Sequence, residues 1–318
     1  MTHPSLLVVG EALIDTVVHP IGRRVQHPGG SPANVAITLG RLGHTPTLLT
    51  RIGSDSSGNL IRKWLRASRV TLDGRSLRSA ATSEAIAFLD DSGAARYELN
   101  ILWDLPDVDT EAVDLLHIGS ISATLAPGAE AIDRLVDRVR GQAVISYDPN
   151  VRPSLIKDPQ ETRKKIEGLV ARADIVKVSD EDLEWIDPTS SPEDVARRWL
   201  GTHPEVVVIT RGSRGVTAIS GQSEVSVDAP NVDVVDTVGA GDTLMGAFIA
   251  GVVELGLLDR PDARSRRGWL AALTPSDLTC LLRYGAAAAA VTVSRAGANP
   301  PQRSELPAIR EPLHADNI

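Results

Sequence analysis

The segment from Val234 to Phe248 carries the clearest chemical pattern in the chain. Strand-like Val234-Val235-Asp236-Thr237-Val238 leads into Gly239-Ala240-Gly241-Asp242, and apolar Leu244, Phe248 and Val252 then follow at helical spacing. Small residues let the backbone turn tightly and approach a ligand, and free N–H groups at a helix start form a nest for anionic oxygens. Asp242 falls in the first turn of that helix, beside those donors, where a carboxylate could take a proton from an attacking hydroxyl. The plainer account of Asp242 is an acidic residue favoured by the helix dipole.

Three further segments place polar groups next to turns. In Gly29-Gly30-Ser31-Pro32-Ala33-Asn34, paired glycines and Ser-Pro suit a helix entrance, and Asn34 faces back toward the loop. Exposed backbone groups and a neutral amide are the means of binding a polyol. Asp148, Asn150 and Arg152 occupy alternate positions just past a strand, either as three groups pointing one way or as a proline-punctuated turn. Val207-Val208-Ile209-Thr210-Arg211-Gly212-Ser213-Arg214-Gly215 reads as a buried strand entering a glycine turn, against which a nucleotide's phosphates or ribose could lie. No Gly-x-x-x-x-Gly-Lys-Ser/Thr loop is present, and Val9-Gly10-Glu11-Ala12-Leu13 stands where a Gly-x-Gly-x-x-Gly would follow the first strand. P-loop and nicotinamide readings therefore lose their support. Cysteine pairs and a His-x-x-x-His face are also missing, so a zinc site has no ligands.

These residues need a scaffold. Apolar runs at Leu6–Val9, Thr47–Arg51, Leu115–Ile118, Ala143–Tyr147, Ile175–Val178 and Val206–Ile209 alternate with helical periods near Ala33–Leu42, Gly58–Ser68, Ala129–Arg140, Glu161–Ala171 and Ser191–Leu200. That pattern predicts an α/β fold, a doubly wound, mostly parallel sheet flanked by helices, with ligands at the strands' carboxyl edge. Asp15–Pro28, about Thr82–Asp91, and Ala94–Leu102 depart from the alternation and read as hairpin strands with a turn at Asp90-Asp91-Ser92-Gly93. Inserted into one domain spanning 1–318, segments of about 15–28 and 82–102 would form a small β lid over that edge. A decorative hairpin is the bland alternative. An unpaired lid edge would also invite a second copy, a homodimer. Ala286–Ala290 reads as a close-packed buried helix, and the tail after Pro300 as a surface segment.

Composition narrows the function classes. The chain has 318 residues, 42% of them hydrophobic and 23% charged, enough apolar material for a packed core. Its 33 basic against 41 acidic residues give a net charge of −8, the wrong sign for a nucleic-acid backbone or an anionic membrane. Five Trp, three Tyr and two Phe are too few for base-stacking platforms. The single cysteine, Cys280, lies in an apolar stretch and reads as a reduced core residue, which suits the cytoplasm. Met1-Thr2-His3-Pro4 runs into Leu6 without a targeting segment, and no apolar run approaches the ~18 residues of a membrane span.

In this order, Val9-Gly10-Glu11, Gly29–Asn34, Asp148–Pro153, Asp236–Asp242 and Arg295–Ala298 resemble the ribokinase-like, or PfkB, sugar kinases over essentially the whole chain. The resemblance implies a doubly wound α/β domain with a β lid and transfer of the γ-phosphate of ATP to a sugar hydroxyl with Mg2+. It implies Asp242 as general base and the amides of Gly239, Ala240, Gly241 and Asp242 as anion hole. Asp15, Gly29, Gly30 and Asn34, with Asp148, Asn150 and Arg152, would bind the sugar, and Ser179, Thr210, Gly212 and Gly215 the nucleotide. K+ near Asp236 and Val238 is a further family expectation. The family's Asn-x-x-Glu motif appears as Ser179-Asp180-Glu181-Asp182; the shorter Asp182 would reach the magnesium through water, with Glu181 as the substitute. The opening motif and the Ser31-Pro32-Ala33-Asn34 version of the glycine turn look most like bacterial fructokinases. Related 2-keto-3-deoxygluconate kinases are the alternative, and a sugar sensor without turnover is the reading from another class.

Overall fold

Strands such as Val206-Val207-Val208-Ile209 have no polar side, so they must be covered on both faces. The computed structural model, which describes residues 4–77, 81–90, 95–108 and 113–309, shows how. Strand β1 (Leu6–Val9) is followed by a hairpin, β2 (Leu13–Val18) and β3 (Arg24–Gly29), before α1 (Ser31–Arg41), β4 (Thr47–Leu49), α2 (Ser56–Ala67) and β5 (Thr71–Leu72). A second hairpin, β6 (Glu84–Leu89) and β7 (Ala95–Asn100), precedes β8 (Leu115–Gly119), α3 (Gly128–Val139), β9 (Val144–Asp148), α4 (Pro159–Val170) and β10 (Ile175–Ser179). Then come α5 (Asp180–Ile186), α6 (Pro192–Leu200), β11 (Val206–Thr210), β12 (Val216–Ser220), β13 (Glu224–Val227), α7 (Ala240–Glu254), α8 (Ala263–Ala271) and α9 (Pro275–Val293).

Among the described residues, nine strands form one sheet in the order β13-β12-β11-β10-β9-β8-β1-β4-β5. Every pair from β11 to β5 is parallel, while β12 and β13 add an antiparallel edge. Alternate residues feed two cores: Leu6, Val8, Val206 and Val208 pack with α1, α7 and α9, whereas Leu7, Val9, Val207 and Ile209 pack with α3, α4 and α6. The predicted α/β class is thus observed. The antiparallel edge was not anticipated, because β12 follows β11 after only a glycine turn, where a helix would continue the alternation.

The segments that interrupt the alternation build a separate four-stranded sheet, β3-β2-β6-β7. Strand β2 pairs antiparallel with β3 and parallel with β6, which bring together hairpins distant in sequence. The turn expected at Asp90–Gly93 falls largely outside the described residues. Two expectations change. The segment after Pro300 does not simply run over the surface, since Leu306 and Ile309 are buried in the core of the α7 face. Cys280 is half-buried on α9 rather than enclosed.

Helices α1 and α7 cross closely, because Gly246 leaves no side chain between them. A Cβ there would lie 2.6 Å from Thr38 Cβ and 3.1 Å from the Val35 carbonyl oxygen. Gly246→Val should therefore destabilise the protein by about 1–3 kcal/mol, the usual cost of overpacking. Urea unfolding checks this, and an unchanged midpoint would show that the two helices can separate freely.

Candidate active site

Strand order reverses between β1 and β8, since the chain builds outward from β1 to β4 and β5 and from β8 to β9 and β10. Parallel sheets open a crevice at the carboxyl edge of such a switch point. Here the residues after β1 and β8 meet: the Ser122 N–H donates to Glu11 Oε2 at 3.3 Å. Burial drives the Glu11 carboxyl up to about 7, against hydrogen bonds from Ser120 and Ser122, and the Asp242 charge pushes the same way.

Asp242 is the hub of the site. It is 7% exposed, and its carboxylate accepts from Ser31 Oγ and from Asn34 Nδ2, each at 2.7 Å. Asn150 Nδ2 stands 3.5 Å from Oδ1. Ser31 and Asn34 lie in the first turn of α1, which Gly30 opens with φ 104°; a side chain on Gly30 would strike the Glu11 carbonyl oxygen, and one on Gly29 the Asp15 carboxylate. Gly239 likewise starts α7 in the left-handed region, φ 77°, without a side-chain cap. The Ala240 N–H bonds to the Thr237 carbonyl at 3.3 Å. Among the described residues the N–H groups of Gly239, Gly241 and Asp242 have no acceptor, as a nest for an anion requires.

Of these three, Gly241 borders a cleft of about 670 Å³. Ser179, Thr210, Gly212 and Gly215, all proposed from the sequence to touch a nucleotide, line it together with Thr237, Ala240 and Gly241. Leu244, Ala286, Ala289, Ala290 and Val293 form an aliphatic wall, and no aromatic side chain lines it. On the other side of Asp242 stand Asp15, Asn150 and Arg152. Burial raises the Asp15 carboxyl to about 6; Arg152 pulls it down, whereas Asp242 and Asp236 push it up. Asn150 sits at φ 40°, a region that Asn enters more readily than most side chains, and its Oδ1 accepts from Arg152 Nη1 at 2.6 Å. A polar chamber and a nucleotide-sized cleft thus meet at one carboxylate.

Two residues stand apart from the sites expected for them. Asp148 does not point the same way as Asn150 and Arg152: it is fully buried, with Oδ2 3.0 Å from Lys177 Nζ. Asp182 is also buried, and its Oδ1 accepts from the Val151 N–H at 2.9 Å, so the carboxylate serves the loop rather than the cleft. Ser179 caps α5, its Oγ accepting from the Asp182 N–H at 3.0 Å. Asp180, paired with Arg214, and exposed Glu181 are the acidic groups that line the cleft. Among the described residues no group of three His, Cys, Asp or Glu side chains could hold a metal. A divalent ion would fit only as one carried mainly by ligand oxygens, with Glu181 the carboxylate at hand. Asp236 accepts from the Val238 and Gly297 N–H groups at 3.0 and 2.9 Å, so both oxygens of the carboxylate proposed from the sequence for a monovalent cation already serve the backbone.

Sequence reasoning missed Ser31, Glu11 and Lys177 as members of the site. Ser31 reads as a helix entrance, and only the fold brings it to Asp242. Glu11 was visible as a charge directly after the first strand, and Lys177 as a lone charge within the apolar run Ile175-Val176-Lys177-Val178.

A family model described as pfkB family carbohydrate kinase matches residues 4–305. A fructokinase from Rhizobium leguminosarum bv. trifolii is 35% identical over 274 residues, 82% of this chain and 83% of that protein. Among solved structures, fructokinase from Xylella fastidiosa with bound ATP superimposes with a TM-score of 0.79 at 25% identity, covering 92% of this chain and 93% of that one. The fructose-, ADP- and calcium-bound fructokinase from Vibrio cholerae O395 shares the fold, with a TM-score of 0.76 at 22% identity and coverage of 93% and 94%. Among the described residues no helix is long and apolar enough to cross a membrane.

The raised Glu11 carboxyl has a consequence for stability. Between 4.5, its ordinary value, and about 7 the folded state holds a proton that the unfolded state has released. The stabilisation is complete below that window and is lost as pH rises through about 7. Glu11→Gln keeps an acceptor for Ser122 but has no proton to lose. Its stability relative to the parent should therefore improve from pH 5 to pH 8, by on the order of 2–3 kcal/mol. Urea unfolding at both pH values reads the difference, and parallel curves would remove Glu11 from this role.

Proposed function

The chain belongs to the pfkB family of carbohydrate kinases, and we propose that it transfers the γ-phosphoryl group of ATP to a hydroxyl of D-fructose, giving fructose 6-phosphate. The observation that carries this reading is the place of Asp242: its carboxylate accepts from Ser31 and Asn34 in the first turn of α1, with Asn150 of the loop after β9 beside it, and the residues just before it, Ala240 and Gly241, line the nucleotide-sized cleft.

The sugar lies among Asp15, the backbone at Gly29 and Gly30, Asn34, Asn150 and Arg152. Among the described residues Asn34 Oδ1 is buried without a partner, a costly arrangement that a hydrogen bond from a sugar hydroxyl would satisfy. Asp242 takes the proton of the attacking hydroxyl while the hydroxyl oxygen bonds to the γ-phosphorus. The bond from that phosphorus to the β,γ-bridging oxygen breaks, and its electron pair leaves with ADP. Ser31 and Asn34 keep the carboxylate oriented toward the hydroxyl, and the N–H groups of Gly239, Gly241 and Asp242 hold the oxygens of the moving group.

ATP lies along Ser179, Thr210, Gly212 and Gly215, its base against the aliphatic wall of α7 and α9. Glu181 would help hold a Mg2+ carried mainly by nucleotide oxygens, which would neutralise phosphate charge, and backbone carbonyls near Asp236 and Val238 would hold K+. The four-stranded sheet acts as the lid, since it carries Asp15 into the site, and the enzyme works in the cytoplasm.

A coupled assay over fructose, 2-keto-3-deoxygluconate, ribose and adenosine tests the substrate: fructose should give the highest kcat/KM, and preference for the acidic sugar would replace it. Sugar binding without ATP consumption would instead support a sensor. In the same assay Asp242→Asn should lower kcat by about 10²–10⁴-fold while still binding sugar. An unchanged kcat would remove Asp242 as the base. Because Asn34 touches Asp242, Asn34→Ala should raise the sugar KM and lower kcat together, whereas a change confined to the ATP KM would place the sugar elsewhere.

A further inference from the structure

Lys177 occupies the middle of β10, between Val176 and Val178, and is only 4% exposed. Its neighbours on the same sheet face, Ile175 and Val208, belong to the core beneath α7. An ammonium there is costly to bury, and a well-packed apolar residue in place of such a pair is commonly as stable or more so. Folding alone therefore does not account for it.

Its surroundings do. Lys177 Nζ lies 3.0 Å from Asp148 Oδ2, the side chain reaching it from the adjacent strand β9. On the other side it meets the start of α7: a Cβ on Gly241 would be only 2.8 Å from Nζ. Gly241 is one of the residues whose N–H is open to the cleft. Asp148 is fully buried, and among the described residues its Oδ1 has no partner, so the hydrogen bonding of the carboxylate is given to Lys177. Burial weakens the ammonium, but Asp148, Asp242 and Asp182 outweigh that effect and hold it above its ordinary value.

We propose that Lys177 supplies a fixed positive charge behind the Gly239–Asp242 loop, and that Asp148 is the positioning residue that keeps it against Gly241. The inference rests on the phosphoryl transfer proposed above. The charge backs the open N–H groups as negative charge gathers on the moving phosphoryl oxygens, in a place that water does not reach. It also offsets the cost of placing ATP beside Glu11, Asp15 and Asp242. Asp148 and Lys177 thus form one device, and neither residue binds sugar.

The test compares Lys177→Met with the double variant Lys177→Met/Asp148→Leu in the fructose assay, alongside thermal unfolding. The single variant strands an unpaired buried carboxylate and should lose both stability and activity. In the double variant both charges are gone, so stability should return while kcat stays about 10²-fold below the parent, with the sugar KM within twofold. If kcat returns together with stability, the pair is structural only and the proposal is overturned. Should the Met variants fail to fold, Lys177→Gln, which keeps a donor for Asp148 without the charge, must show the same loss of kcat. A parent protein that phosphorylates none of the sugars overturns the functional reading and this inference with it, whereas an active parent and an equally active double variant overturn this inference alone.

Discussion

The grip of Ser31 and Asn34 on the Asp242 carboxylate is the contact on which the site depends. It ties the first turn of α1 to the first turn of α7, two helices separated by some 200 residues of chain, and hydrogen bonds to an ionised acceptor are among the stronger kind. Their close crossing at Gly246 and Thr38 sets the distance between those two turns. The same contact orients a carboxylate and joins two ligand chambers, so local packing and chemistry cannot be varied independently here.

Charge is distributed to suit an anionic ligand despite an acidic protein. The net charge of −8 would repel a nucleotide at long range, yet screening limits that repulsion to about 10 Å. What an anion meets inside the cleft is a set of unpaired N–H groups and, behind them, Lys177. Burial weakens Glu11 and Asp15 as acids, pushing their carboxyls up to about 7 and about 6, which lowers the negative charge facing the ligand near neutral pH. Acidic surface and anion-binding cleft are therefore compatible because the relevant donors are local and desolvated.

How much of this was legible beforehand follows from which interactions are local in sequence. The parallel strands were readable because each is an uninterrupted apolar run, and the four hairpin strands because they break the alternation. The anion nest was readable because Gly239, Ala240, Gly241 and Asp242 are consecutive. The edge strands β12 and β13 were not, since nothing in Val216–Ser220 distinguishes an antiparallel return from another parallel strand. Nor was the fate of Asp148: alternate spacing with Asn150 and Arg152 suggested a shared direction, but Asp148 still belongs to β9 and follows its pleat inward to Lys177. Asn150, already past the strand and at φ 40°, does not. Asp182 differs for a similar reason, because the Val151 N–H that claims it comes from a loop 31 residues away.

The aliphatic wall of the cleft shows fold and ligand site sharing the same residues. Ala286, Ala287, Ala288 and Ala290 are buried on α9, and their small size lets α7 pack against this helix at close range; Gly285 continues the seam, where a Cβ would already be 3.3 Å from Leu244. Leu244, Ala286, Ala289 and Ala290 then reappear on the cleft surface. An aromatic platform at these positions would force the helices apart and carry the Gly239–Asp242 loop away from Ser31, Asn34 and Lys177. The scarcity of aromatic residues is thus more than a compositional trait. A flat, apolar base can be covered by methyl groups through dispersion and exclusion of water, while the helix spacing that aligns the carboxylate, the open amides and the buried ammonium is preserved.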